Sequence, residues 1–97
     1  MKNGLIGNVI LKEERLEDGC AYTYELIHRE GDGVADWKVP LYSIRIAMTD
    51  SQGNKTEREA MDLFSDGERA GEFFQKLVRN LATPIDLGYV VEDEVRS

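Results

Sequence analysis

SDGERAGEFFQKLVRNL, residues 65–81, decides the fold class. Its apolar positions, Ala70, Phe73, Phe74, Leu77, Val78 and Leu81, recur at the three- and four-residue spacing that lines up one face of an α-helix. Ser65 stands three residues before Glu68, a pattern in which a hydroxyl and a carboxylate satisfy the first unpaired amides of a helix. Asp66 and Glu68 fall near the positive end of the helix dipole, Lys76 and Arg79 near the negative end, and Glu72 and Lys76 form a favourable pair four apart. The spacing predicts a long helix over about 66–82. A stripe of this kind is ordered by docking on an apolar surface, so the rest of the chain must supply one.

Upstream the period changes from 3.6 to 2. Residues 20–30, CAYTYELIHRE, place Cys20, Tyr22, Tyr24, Leu26 and His28 on one face, with Thr23, Glu25 and Arg29 on the other. Residues 41–50 alternate Tyr42, Ile44, Ile46 and Met48 against Ser43, Arg45 and Thr49. Residues 5–16 read as a strand with Val9 and Leu11 on one face and Ile10 on the other, and 55–64 as a charged, exposed strand at an edge. Glu17-Asp18-Gly19 and DSQGN at 50–54 carry turn chemistry, and GDGVADWK at 31–38 reads as a loop. Pro40 is acceptable only at a strand start or on an edge. The expectation is a single α+β domain spanning 1–97: a four-stranded antiparallel meander covered on one face by two C-terminal helices, one long and one short.

The short helix is expected over about 86–96. Pro84 has no amide hydrogen and turns Thr83 away from helical angles, so it reads as a stop for the first helix. Beyond it Leu87, Val90, Val91 and Val95 recur at helical spacing, with Asp86 a candidate cap. Gly88 lowers helicity, so this tail takes its order from docking on its own sheet or on another molecule. Glu92, Asp93 and Glu94 crowd beside the apolar face. A solvated acidic face is the ordinary reading of such a run; the sharper reading is a surface that meets a basic partner.

Composition excludes more than it identifies. The formal net charge is −7, with 9 acids against 6 bases in residues 1–50 and 10 against 6 in 51–97. Without a basic cluster in either half, neither nucleic acid nor an anionic membrane is an expected partner. Cys20 is the sole cysteine and His28 the sole histidine, so no internal disulfide and no zinc pattern can form. Gly4, Gly7 and Asn8 interrupt the apolar N-terminus, which does not read as a signal peptide, and a cytoplasmic location is expected. His28 is read as a hydrogen-bonded, partly buried ring and Cys20 as a buried, inert thiol. No nucleophile elbow or phosphate-binding glycine loop is present. No catalytic, cofactor-binding or metal-ligating residue is therefore assigned.

YELI at 24–27, YSIRI at 42–46, LFSD at 63–66 and TPIDL followed by VVED across 83–93 resemble a family of short uncharacterised proteins from Firmicutes. In these a capped helix and a Pro-x-His-Leu segment lead to Val-Val-Glu-Asp; here Asp86 stands in the histidine position. The resemblance covers about residues 20–95 and implies a domain of unknown function without agreed catalytic residues. The leading functional reading is a protein-interaction or regulatory module, with a protein partner or a second copy joined through an edge strand or the C-terminal helix. The candidate contact residues are Trp37, Val90, Val91, Glu92, Asp93 and Val95. An enzyme with a carboxylate-based site near the sheet end is the alternative, and a nucleic-acid accessory factor, opposed by the charge, is the third.

Overall fold

A computed structural model describes residues 7–32 and 38–96, without the side chains of 32, 38, 95 and 96. Its elements are β1 (Asn8–Glu17), β2 (Cys20–Asp32), β3 (Lys38–Thr49), β4 (Lys55–Phe64), α1 (Gly67–Arg79) and α2 (Pro84–Arg96). The described strands form one antiparallel sheet in the order β1-β2-β3-β4, and both helices follow it, as the change of period implies. Between β1 and β2, Asp18 (φ 52°) and Gly19 (φ 80°) form a two-residue turn with both residues left-handed, the geometry that matches strand twist. Between β3 and β4, the Asp50 carboxylate accepts from the amides of Gln52 and Asn54, both at 2.9 Å. The Asn54 amide in particular holds its pKa below the usual carboxylate value.

The core lies between sheet and helices. Tyr24 pairs with Ile46 and Leu26 with Ile44, so all four point to the helix side, where they are fully buried beneath Ala70, Phe73, Phe74, Leu77 and Val78 of α1. Phe64 adds an edge-on contact to Phe73, with ring centroids 5.4 Å apart. β3 begins at Lys38, earlier than expected, because Pro40 lies beyond the last rung that β3 shares with β4, Tyr42 opposite Phe64. Its missing N–H removes no bond from that side of the ladder.

Both helices have 13 residues, and their ends differ from the sequence expectation in instructive ways. Asp66, not Ser65, caps α1, its carboxylate accepting from the Glu68 amide at 3.0 Å. The residue next to the first helical turn makes the bond, and its charge suits the positive end. Gly67 follows because a Cβ there would stand 2.7 Å from the Tyr42 hydroxyl oxygen. At the other end the Leu81 amide donates to the Val78 carbonyl and the Ala82 amide to the Leu77 carbonyl, with Leu81 left-handed at φ 50°. This double closure usually employs glycine.

Pro84 opens α2 two residues before the expected start. At the first helical position its absent amide leaves no bond unmade and its ring fixes a helical φ. Thr83 Oγ1 accepts from the Asp86 amide while Asp86 Oδ2 accepts from the Thr83 amide, both at 3.1 Å, a reciprocal cap. The Tyr24 hydroxyl donates to the Ala82 carbonyl at 2.9 Å and pins the junction between the helices to the sheet.

α1 lies over β2, β3 and β4, and α2 over β4 and β3. β1 extends beyond this cover: all its residues are exposed except Glu13, which is half-buried. An extra residue at Ile10 shifts its register, so Val9 pairs with Ile27 and Leu11 with Leu26. Val9 and Leu11 therefore fall on opposite faces, against the expectation of a shared one, since one inserted residue reverses a period-2 pattern.

Candidate functional site

α2 docks through Pro84 and Leu87, both buried, and through Val90 and Val91, half-buried against the core. The two valines thus hold the helix down. Glu94 bridges to α1, reaching Arg69 at 3.5 Å and Lys76 at 3.9 Å. Glu92 and Asp93 are exposed, as their position off the apolar stripe implies. The Val95 side chain and Trp37 lie outside the described residues.

The side of α2 turned from the core carries a feature the sequence reading passed over. Ile85 is 64% exposed and Tyr89 70%, one helical turn apart, while Leu87 on the docked side is 2% exposed. The signal was present in the sequence: these two apolar residues are four apart and fall off the stripe through Leu87 and Val91. A 420 Å³ cavity opens beside them, where α2 meets Arg58 and Ala60 of the edge strand β4. Gly88 lies between them, and a Cβ there would meet nothing within 4 Å. Packing among the described residues does not require this glycine.

The sheet face away from the helices carries charge instead. Arg45 donates to Glu25, lies 3.3 Å from Glu59 and 4.0 Å from Glu57, and the Glu25 hydrogen bond holds the guanidinium pKa above its usual value. Arg29 forks onto Asp62 with bonds of 3.1 and 2.6 Å. Asp62 is left-handed (φ 53°) in an irregular stretch of β4 where its amide donates to the buried Ser43 hydroxyl at 2.8 Å. Among the described residues one guanidinium thus faces three carboxylates in the first cluster and one in the second.

His28 sits half-buried at the sheet end, 5.0 Å from the Tyr42 ring, beside a cavity of about 500 Å³ that Glu30 also lines. Cys20 is half-buried, not buried as expected, because the first residue of β2 lies past the helical cover. Tyr22, Tyr24 and Tyr42 face the core. Among the described residues no group of three or more His, Cys, Asp or Glu is placed to hold a metal ion, and no helix is long and apolar enough to cross a membrane.

No curated protein and no solved structure matches the chain. A family model covers residues 7–97, from the residue before β1 to the end of the chain. The chain belongs to the family of unknown function DUF6514.

Proposed function

We propose that this protein is a small cytoplasmic interaction module and that the outer side of α2 is where a protein partner docks. The observation that carries the reading is the exposed pair Ile85 and Tyr89 on a helix already fixed by its opposite side. Tyrosine is favoured at the centre of binding surfaces because it buries a large ring at little entropic cost and keeps a hydroxyl for bonding. The cavity between α2 and β4 supplies a recess for a partner side chain, and the bare Gly88 permits close backbone approach. Glu92 and Asp93 along the rim favour a partner with basic residues around an apolar centre.

A photo-crosslinking amino acid placed at position 89 in the producing cell tests this. The expected result is a discrete crosslinked protein that disappears when Ile85→Ser is added and is not seen from an exposed control position such as Arg79. Equal background from both positions would refute the docking surface. The cavity beside His28 and Glu30 favours a second reading, a proton-transfer site at the sheet end. Loss of a cellular phenotype on His28→Gln, with the crosslink at 89 retained, would favour that site instead.

A further inference from the structure

We infer that a second copy of this chain pairs with it edge to edge through β1, antiparallel, about a two-fold axis at Glu13. This goes beyond the α2 reading and uses the opposite edge of the sheet.

Among the described residues no strand pairs with the outer edge of β1, and the direction of its backbone groups follows from the turn. Glu17 and Cys20 close a two-residue hairpin, so the backbone groups of Glu17 and Arg15 point to β2, and those of Leu16, Glu14 and Lys12 point outward. An outward row of amides and carbonyls on an exposed strand is a template for another strand, with the Glu14 carbonyl, which already accepts from Arg15 Nη1 at 2.9 Å, keeping its second lone pair for the partner. Apolar side chains accompany it: Val9, Ile10 and Leu11 are well exposed and Leu16 is 75% exposed.

The side-chain sequence identifies the occupant. A two-fold axis at Glu13 sets Lys12 opposite Glu14 of the second copy, and Glu14 opposite its Lys12. Within one strand Lys12 and Glu14 already lie 3.8 Å apart on one face, so pairing closes a square of alternating charge. The next rungs set Leu11 opposite Arg15 on the helix face and then, at the irregular residue, Ile10 opposite Leu16, apolar against apolar, on both sides of the axis. On the helix face the two Glu13 residues meet, each with Arg15 of its own strand at 3.0 Å and the other copy's Arg15 on the diagonal. The neighbouring register, with its axis at Glu14, sets Glu13 against Arg15 on the helix face, but on the other face it sets Glu14 against Glu14 and Lys12 against Leu16 and loses both matches there. The face of the stretch turned from the helices is thus self-complementary, Lys12 with Glu14 and Ile10 with Leu16, although the chain as a whole carries −7. The extra residue at Ile10 bends the strand and limits the pairing to a short segment.

Sedimentation velocity on the full chain tests the inference between about 1 μM and about 1 mM, the range in which a strand-sized interface dissociates. The expected result is a reversible rise from 11.0 kDa to twice that mass. Lys12→Glu weakens association at least tenfold, and Lys12→Glu with Glu14→Lys restores it, with circular dichroism and the thermal midpoint establishing that each variant is folded. Ile85→Ser with Tyr89→Ser associates like the parent. A monomer throughout, a Lys12→Glu variant that associates normally, or a charge swap that fails to restore pairing overturns the inference. So does loss of association in the Ile85/Tyr89 variant alone, which would place the second copy on α2. An absent crosslink at position 89 bears only on the α2 surface.

Discussion

Replacing Tyr24 by Phe removes one oxygen from the centre of the molecule and tests how the helical layer is fastened. The Tyr24 hydroxyl is the donor to the Ala82 carbonyl at 2.9 Å, and Tyr24 is fully buried with Ala82 5% exposed. Phe fills the same space but leaves a buried acceptor without this donor, which costs about 1–3 kcal/mol. In a chain of 97 residues this lowers the thermal midpoint by roughly 4–8 °C per kcal/mol. Burial, aided by the nearby Tyr22, pushes the Tyr24 pKa from 10.0 up to about 12. Between those values the unfolded chain gives up this proton while the folded chain keeps it, so stability falls as pH rises. The loss is roughly 2–3 kcal/mol, complete near pH 12 and absent below pH 10. Tyr24→Phe cannot show this component. Urea titrations of both proteins from neutral to alkaline pH should therefore give a gap at pH 7 that closes as pH passes from 10 towards 12. A gap at pH 7 below about 0.5 kcal/mol, together with parallel pH profiles, would refute the reasoning.

Other substitutions separate the contributions around the helices. Leu81→Gly is expected to be nearly neutral in denaturant titrations, because release of the left-handed strain, about 1 kcal/mol, offsets the burial lost from a half-buried side chain. Leu77→Ala, by contrast, should cost about 2–5 kcal/mol, since Leu77 is fully buried in the core. Thr83→Ala opens the reciprocal cap and should destabilise by about 1 kcal/mol, with a non-additive double mutant when Asp86→Ala is added. Gly88→Ala should add up to about 1 kcal/mol of stability, read as a higher thermal midpoint, while weakening the crosslink from position 89.

The sheet-and-helix class was readable because two periods are written into separate parts of the chain. Tyr24, Leu26, Ile44 and Ile46 alternate, Phe73, Phe74, Leu77 and Val78 follow a helical stripe, and these two sets form the core. The misplaced details are single-residue events that a period does not encode. One extra residue at Ile10 separates Val9 from Leu11, and a cap moves from Ser65 to its neighbour Asp66. Pro84 reads equally as an end or a beginning, and the Thr83–Asp86 exchange decides for a beginning. Among the candidate contact residues, Val90 and Val91 lie on the side of α2 that packs against the core. Ile85 and Tyr89 stayed hidden because a stripe rule marks what is docked and is silent about the apolar residues left over. The extent of helical cover over the sheet also has no local signature, so the exposure of β1 emerges only from the packed layers.

The placement of α2 at one border of the sheet and β1 at the other sets a spacing. In a pair joined through β1, the outermost strands are both β4, seven strand intervals or roughly 34 Å apart. Strand twist of about 20–25° per interval rotates the two ends by more than a right angle. Two docked molecules would be held apart facing different directions, and a target with matching paired sites at that separation would gain avidity without any new contact.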